Sequence, residues 1–253
     1  MEEHITLNYN SLKLHAVVEF PEHQHKKMPM VLIFHGLFSD SRCPLLVSVK
    51  DFLLEQGFVT LRLDFSGFGL SEGKHEDMTV PDQIRQAEAA LDYVKGLPFV
   101  SKVFLLGHSQ GGVVASSLAG LFPAAVDGLM LFNPAGVIED SMNAGLLVNK
   151  PFDAEHIPET IELGGRTFGR AYMESGKSLR IFETAAAFQG PVCLICGDRD
   201  ERIPVAYFRK YHRIYRNCSF RLILGADHVF RGCDLSWKNA LLPYVTKYGT
   251  VIC

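Results

Sequence analysis

Short apolar runs alternate with helical patterns along this chain, and no other feature of the sequence constrains its fold as tightly. Gly, Asn or Asp bounds the runs, which have the length of buried strands. Strands that alternate with helices build a mostly parallel sheet covered by helices on both faces. We therefore predict an α/β fold with core strands at Met30–Phe34, Phe58–Leu63, Lys102–Leu106, Gly128–Phe132, Val192–Cys196 and Phe220–Leu224.

Helical patterns occupy five segments between and after these strands. Pro81 and Pro204 fall in first turns, where proline is tolerated because the missing N–H would have had no partner. Gly57 follows the first segment and suits a helix stop. The predicted helices are Cys43–Gln56, Pro81–Lys95, Gln110–Leu121, Pro204–Arg216 and Leu235–Lys247.

The chain is long and apolar enough for one large core, with 253 residues of which 47% are hydrophobic. An α/β domain of this size need not divide. Before the first core strand, His4–Tyr9 and Lys13–Glu19 alternate in polarity on either side of Asn10-Ser11, which predicts an antiparallel hairpin at the sheet edge. We expect a single α/β domain over residues 1–253.

The segment from Pro134 to Gln189 interrupts the alternation of strands and helices. It contains scattered glycines and no long apolar strand, and it lies between two core strands. Connections of this length inside a compact domain usually carry function. We interpret residues 134–189 as a cap over an active site, the alternative being a passive excursion that protects the sheet edge.

Charge and hydropathy exclude several classes of partner. The net charge is −3 and the basic residues are scattered, so we expect no nucleic-acid binding. Glu2 and Glu3 stand where a signal peptide would be basic, and no apolar run approaches the ~18 residues of a membrane span. We expect a cytoplasmic protein without a membrane partner, and an exposed apolar cap would suit a homodimer.

Cysteine usage and glycine spacing indicate neither a metal nor a cofactor. Cys193 and Cys196 flank two core-strand residues, and the preferred interpretation is a pair of buried, small apolar side chains. No phosphate-binding glycine loop follows the first core strand, and the histidines lack metal-ligand spacing. The remaining cysteines also lack zinc-site partners: Cys43, Cys218, Cys233 and Cys253.

The sharpest motif is Gly107-His108-Ser109-Gln110-Gly111, which follows a core strand and precedes a helical pattern. A G-x-S-x-G sequence in this context is a nucleophile elbow, a tight turn that presents the serine at the carboxyl edge of the sheet. Glycine at both flanks removes the Cβ atoms that would collide in such a turn. Ser109 is the predicted nucleophile.

A nucleophilic serine that attacks an acyl group needs N–H donors for the developing oxyanion. The backbone N–H of Gln110, directly after the nucleophile, is one predicted donor. The second should come from His35-Gly36-Leu37-Phe38, and we assign it to Leu37, with Phe38 as the neighbouring alternative. We expect His35 to support this loop by hydrogen bonding.

The acid and base should follow the serine in the order Ser, Asp or Glu, His, each after a strand. Loop Gly197–Pro204 holds three acidic residues, and Asp200 at its tip is better placed to reach a histidine than Asp198, which remains the alternative. His228 follows the last strand. We predict that it takes the Ser109 proton while Asp200 fixes its tautomer.

Across nearly its full length the chain resembles the α/β-hydrolase family. The motifs that carry the resemblance occur in the order of that family: His35-Gly36, Asp64–Gly73, Gly107–Gly111, Gly197–Pro204 and Gly225–His228. The resemblance implies the α/β-hydrolase fold, a mostly parallel twisted sheet with helices on both faces and a small inserted cap.

Within that family the chain looks most like the small cinnamoyl or feruloyl esterases of gut and rumen bacteria. The elbow sequence is the same, Asn133–Ala135 opens an insertion of similar size, and Phe152–Pro158 is similar to a segment of their cap. The resemblance implies hydrolysis of hydroxycinnamic esters, with polar cap residues on the ring hydroxyl. Tyr172 matches a cap tyrosine of these esterases by position, and Asp140 lies near the position of an acidic residue in their cap. The chain departs from the family at Phe68, where the family mostly has histidine.

Several activities share this set of residues. The first hypothesis is a serine carboxylesterase acting through an acyl-enzyme on hydroxycinnamoyl esters. The alternatives are a monoacylglycerol lipase-like enzyme, a short-acyl esterase or an acyltransferase, and a non-catalytic ligand-binding relative is disfavoured because all three residues are present. The acyl pocket is predicted to be lined by Phe38, Phe152, Phe168 and Tyr172, although cap aromatics as often form a small core.

Overall fold

The computed structural model describes residues 1–249 and centres on an eight-stranded sheet. The chain order of its strands is β1 (Glu2–Tyr9), β2 (Leu12–Glu19), β3 (Met28–Phe34), β4 (Val59–Leu63), β5 (Val100–His108), β6 (Gly128–Phe132), β11 (Val192–Gly197) and β12 (Cys218–Ile223). In space the order is β1-β2-β4-β3-β5-β6-β11-β12. The hairpin β1–β2 is antiparallel and β2 runs antiparallel to β4, while the other pairs are parallel.

Alternate side chains of the central strands fill two separate cores. On β3, Met30 and Leu32 pack on one face, and Val31 and Ile33 pack on the other. The first face is covered by α2 (Val80–Lys95), α3 (Gln110–Leu121) and α7 (Val205–Ile214), and the second by α1 (Pro44–Glu55) and α8 (Asp234–Gly249). Burial of both faces explains why these strands are continuous apolar runs.

The predicted fold class is confirmed, and the largest differences lie at element ends. Strand β5 extends to His108 because Gly107 and His108 pair with β3 and β6, which carries the strand directly to Ser109. Helix α2 starts one residue earlier than predicted because the Thr79 hydroxyl accepts a hydrogen bond from the N–H of Asp82 at 3.1 Å. Cys253 lies outside the described residues.

Both cysteines of the close pair lie in β11 and are fully buried, on opposite faces of the sheet. Burial raises the pKa of the Cys193 thiol to about 12 and raises that of Cys196 well above its usual value. The pair is therefore held in the thiol form inside the core, as interpreted from the sequence.

The insertion between β6 and β11 consists of short elements. They are α4 (Ile138–Asn143), the strand pairs β7 (Leu146–Leu147) with β8 (Lys150–Pro151) and β9 (Thr160–Leu163) with β10 (Arg166–Gly169), and the helices α5 (Arg170–Gly176) and α6 (Ile181–Ala185). Within residues 1–249, we find no helix with the length and apolarity needed to span a membrane.

Candidate active site

The turn between β5 and α3 holds Ser109 in a strained backbone conformation, with φ 57° and ψ −122°. A Cβ atom on Gly107 would lie 2.0 Å from the carbonyl oxygen of Gly111, and one on Gly111 would lie 2.2 Å from that of Phe34. Only glycine fits at either position, as the motif requires. The turn places the Ser109 side chain at the N-terminus of α3, at the carboxyl edge of the sheet.

Three side chains from separate loops meet at this edge. The Ser109 hydroxyl lies 3.0 Å from Nε2 of His228, and Nδ1 of His228 lies 2.7 Å from Oδ2 of Asp200. The Asp200 side chain is fully buried and that of His228 is 8% exposed. The three residues thus lie in the relative positions that nucleophilic catalysis by a serine needs.

The loop after β11 separates the two competing acids. The other carboxylate oxygen of Asp200, Oδ1, accepts the backbone N–H groups of Arg202 and Ile203 at 2.8 and 2.9 Å. Asp198 instead accepts the N–H of Gly225 at 2.6 Å, which ties together the loops that follow β11 and β12. The structure therefore brings Asp200, and not Asp198, to the histidine.

Sequence reasoning missed two residues that brace the backbone of His228. The side-chain amide of Asn133 donates to the carbonyl of His228 at 2.9 Å and accepts the N–H of Gly197 at 2.8 Å. His108 Nε2 donates to the same carbonyl at 2.8 Å. The available signal was the position of Asn133 directly after β6, with φ 42°, a conformation that asparagine tolerates better than most residues.

His108 is buried against His228, and its hydrogen bonds define its tautomer. Because the carbonyl of His228 can only accept, Nε2 of His108 carries the proton and Nδ1 is unprotonated. Burial, followed by the nearby His228, lowers the pKa of His108 to about 3. The folded protein therefore holds this ring neutral over most of the pH range.

The neutral state of His108 predicts an acid-sensitive stability. Between pH about 6.5 and 3 the unfolded chain binds a proton at this residue and the folded chain does not, so stability is full above this window and falls as the pH is lowered through it. His108→Gln keeps an N–H donor but removes the titration. We expect its free energy of unfolding between pH 6 and 4.5 to fall less steeply than in the parent, by up to about 1.4 kcal/mol per pH unit.

Urea denaturation of both proteins at several pH values measures this difference. His35 and His75 also have pKa values lowered by burial, but they are present in both proteins and contribute equally. Parallel stability curves for the parent and His108→Gln would contradict the assignment.

The loop after β3 carries the other predicted oxyanion donor. Leu37 and Gln110 both line the cavity that holds Ser109. His35 is buried, donates from Nδ1 to the carbonyl of Gly36 at 2.9 Å and accepts the N–H of Phe65 at Nε2 at 3.2 Å. His35 thus supports the loop by hydrogen bonding and takes no part in the Ser109 cluster.

A cavity of about 340 Å³ opens above Ser109, and residues of the insertion form much of its wall. Phe38 and Tyr172 line it as predicted, whereas Phe152 and Phe168 do not. Phe168 is fully buried and packs against Phe38 and Tyr172 at ring-centroid distances of 5.8 and 5.6 Å. Phe168 therefore follows the alternative interpretation from the sequence, because its ring belongs to a small aromatic core with Phe38 and Tyr172.

Asp140 does not line the cavity, so the structure does not bring it to the substrate-binding position that the resemblance implies. Its side chain is 58% exposed. Oδ2 accepts the Tyr207 hydroxyl at 2.7 Å and lies 3.4 Å from the Lys210 ammonium, so it links α4 to α7 on the outer surface. Helix α4 turns its apolar residues Ile138 and Met142 toward the cavity, which directs Asp140 outward.

The Tyr172 hydroxyl is already engaged inside the protein. It donates to Oε1 of Gln110 at 2.7 Å, and Nε2 of Gln110 donates to Oε1 of Gln83 at 2.7 Å. Burial raises the pKa of this phenol above its usual value. Tyr172 therefore holds the residue after the nucleophile in place while it also forms part of the cavity wall.

The fold and the site together define a serine hydrolase of the α/β-hydrolase fold. Residues 25–170, more than half of the chain, match the family described as serine aminopeptidase, S33, and the chain belongs to that family. Est1E from Butyrivibrio proteoclasticus, in a structure with ferulic acid bound, is similar with a TM-score of 0.94 and 28% identity. The match covers 96% of this chain and 98% of that of Est1E.

Relatives identified by sequence match a shorter part of the chain. An uncharacterized protein of Mycobacterium tuberculosis is 29% identical over 154 residues, which are 56% of this chain and 42% of that protein. The human serine hydrolase-like protein is 34% identical over 138 residues, 51% of this chain and 62% of its own length. The matched part thus spans less than half of the mycobacterial relative and less than two thirds of the human one.

Proposed function

We propose that this serine hydrolase is a carboxylesterase that acts through an acyl-enzyme. Ser109 Oγ attacks the ester carbonyl carbon as its proton passes to Nε2 of His228. Throughout this step, the Nδ1–H of His228 remains hydrogen-bonded to the Asp200 carboxylate. The tetrahedral intermediate then breaks its bond to the alkoxide, which takes that proton and leaves as the alcohol. Water repeats the sequence on the acyl-enzyme and releases the acid.

One observation carries this proposal. The strained nucleophile turn places Ser109 Oγ 3.0 Å from His228, whose opposite nitrogen lies 2.7 Å from the buried Asp200, at the floor of an apolar cavity. The backbone N–H groups of Leu37 and Gln110 are the proposed donors to the oxyanion. The insertion is proposed to act as a cap that covers the bound acyl group.

The lining of the cavity favours an ester over a peptide with a free amino terminus. An aminopeptidase must bind an α-ammonium group, for which a carboxylate is the usual partner. Within the described chain, the cavity wall holds no Asp or Glu side chain. We therefore place this member of the S33 family among enzymes for acyl groups without positive charge.

We propose a hydroxycinnamoyl group as the acyl part of the substrate. Ferulic acid is bound to Est1E, the similar structure at 28% identity over nearly the whole chain. In this chain Phe38 and Tyr172 are part of the cavity wall, and aromatic side chains favour stacking with an aromatic acyl group. A volume of about 340 Å³ suits a single small ligand.

Aliphatic acyl esters are the second candidate. The insertion contributes several flexible or branched side chains to the wall, which would accommodate a fatty acyl chain equally well. They are Val137, Ile138, Met142, Leu147 and Val148. A monoacylglycerol or a short-chain ester is the corresponding substrate.

Turnover of a small panel of esters separates these candidates. We expect methyl ferulate to have a higher kcat/KM than a monoacylglycerol. Its kcat/KM should also exceed that of p-nitrophenyl butyrate once the value for the nitrophenyl ester is corrected for the better leaving group of that ester. Ser109→Ala, prepared in parallel, serves as the blank. Ser109-dependent turnover of the aliphatic esters alone would reject the hydroxycinnamoyl group, and no Ser109-dependent turnover would reject the esterase.

A further inference from the structure

One permanent charge lies in the wall of the Ser109 cavity. Among the described residues that line it, Arg202 is the only Lys, Arg, Asp or Glu side chain, and the remaining wall is mostly apolar. Arg202 is exposed at the mouth of the cavity, on the loop that carries Asp200. An isolated cation beside an apolar pocket attracts a ligand that is apolar at one end and anionic at the other.

The Arg202 guanidinium is available for such a ligand. It forms no ion pair or side-chain hydrogen bond with any part of the chain that the structure describes, unlike the guanidinium groups of Arg42, Arg62 and Arg85, which pair with carboxylates. Its backbone N–H is fixed to Asp200 at 2.8 Å, so the side chain starts beside the Asp200–His228 pair. Burial is the main cause of the lowered pKa of His108, and the positive charge of Arg202 makes a small further contribution.

The position of Arg202 indicates which half of the ester it faces. Since His228 returns its proton to the departing alkoxide, the alcohol half of the substrate must lie on the His228 side of the cavity. Arg202, Ile203 and Val229 are the lining residues from the acid loop and the histidine loop on that side. The acyl half then points toward the residues of the insertion.

We propose that Arg202 is a specificity-determining residue that binds a carboxylate on the alcohol half of the ester. A guanidinium matches a carboxylate in shape and charge through two parallel N–H donors. The substrate class is therefore an acyl ester of a hydroxy acid. This inference rests on the proposed esterase activity. It adds to that proposal that the alcohol released from the ester carries a negative charge.

A matched pair of substrates tests the charge alone. O-feruloyl glycolate and O-feruloyl glycolamide differ only in the carboxylate and its neutral amide. We expect Arg202→Gln to lower kcat/KM for the glycolate ester by roughly threefold to tenfold, mainly through KM, and to lower it for the glycolamide ester by less than about twofold. Arg199→Gln is the control variant, because Arg199 is an exposed cation on the same loop but does not line the cavity, and it should change neither value.

Two further measurements sharpen the result. The preference of the parent for the glycolate ester should weaken as ionic strength rises, and the Arg202→Gln enzyme should show no such dependence. An equal loss on both esters in Arg202→Gln would mean that Arg202 only supports the acid loop, and an unchanged glycolate ester would mean that it binds no carboxylate. Either result overturns the inference.

The corresponding butanoyl glycolate and butanoyl glycolamide separate this inference from the choice of acyl group. Discrimination by Arg202 within the butanoyl pair, without turnover of methyl ferulate, would support the role of Arg202 and reject only the hydroxycinnamoyl group. Turnover of methyl ferulate without discrimination in either pair would reject only the role of Arg202. If no ester were hydrolysed in a Ser109-dependent way, both proposals would fall together.

Discussion

Ser109→Ala is expected to lower kcat/KM for every ester the enzyme hydrolyses by about 10⁴-fold or more, because no acyl-enzyme can form without the Oγ atom. The change leaves the fold intact, since alanine keeps the Cβ atom and removes one partly buried hydroxyl. Steady-state kinetics on the purified variant, with circular dichroism and thermal unfolding to show that it is folded, measure the effect. A loss below about tenfold would exclude Ser109 as the nucleophile.

Ser109→Gly is the matched variant for the strain in this turn. The residue has φ 57° and ψ −122°, a conformation that costs a residue with a Cβ atom about 1–3 kcal/mol. We expect Ser109→Gly to be as inactive as Ser109→Ala but more stable than it by about 1 kcal/mol in urea denaturation. A less stable glycine variant would show that the turn stores no strain at this position.

Asp200→Asn is expected to lower kcat by about 10³- to 10⁴-fold, the second largest effect. The Asp200 carboxylate accepts three hydrogen bonds, from the N–H groups of Arg202 and Ile203 and from Nδ1 of His228. An asparagine can turn only one oxygen toward these donors. Its NH₂ group therefore either faces the two backbone N–H groups or forces His228 into the wrong tautomer.

Asp198→Asn is the matched control on the same loop. The contact that the structure records for the Asp198 side chain is the N–H of Gly225, which the oxygen of an asparagine can still accept. We expect kcat to change by less than about fivefold. Equal and mild effects of the two substitutions would remove Asp200 from its proposed role, and a larger effect of Asp198→Asn would exchange the two residues.

The sheet and its helices were predictable because both faces of the sheet are buried. Strands such as β3 and β6 are then continuous apolar runs, and residues of opposite parity pack into opposite cores. The boundaries were less predictable because they depend on single contacts. The Thr79 cap on α2 and the pairing of His108 with Phe132 in β5 are two examples.

The elbow motif and the order of the loops were sufficient to select Ser109, Asp200 and His228, since chain order fixes which strand end each loop occupies. The residues that brace them were not selected. Asn133 and His108 act on the carbonyl of His228, across 95 and 120 positions in the sequence. Such contacts depend on three-dimensional proximity between loops and leave no local pattern.

The insertion was the least predictable part. Its helices are short, so no periodic pattern shows which side faces the cavity. Asp140 was assigned from its position in a resemblance, and the turn of α4 directs it to the outer surface instead. Tyr172 reaches the cavity, but its hydroxyl is held by Gln110, a contact that sequence position alone does not indicate.

The acyl-enzyme itself is the central claim, and mass spectrometry of the intact protein after rapid acid quench tests it most directly. During turnover of methyl ferulate or p-nitrophenyl butyrate, we predict an increase in mass equal to the acyl group, located by peptide mapping to the peptide that contains Ser109. The increase should be absent in Ser109→Ala. Turnover that continues without any covalent adduct, or an adduct on another residue, would contradict the mechanism.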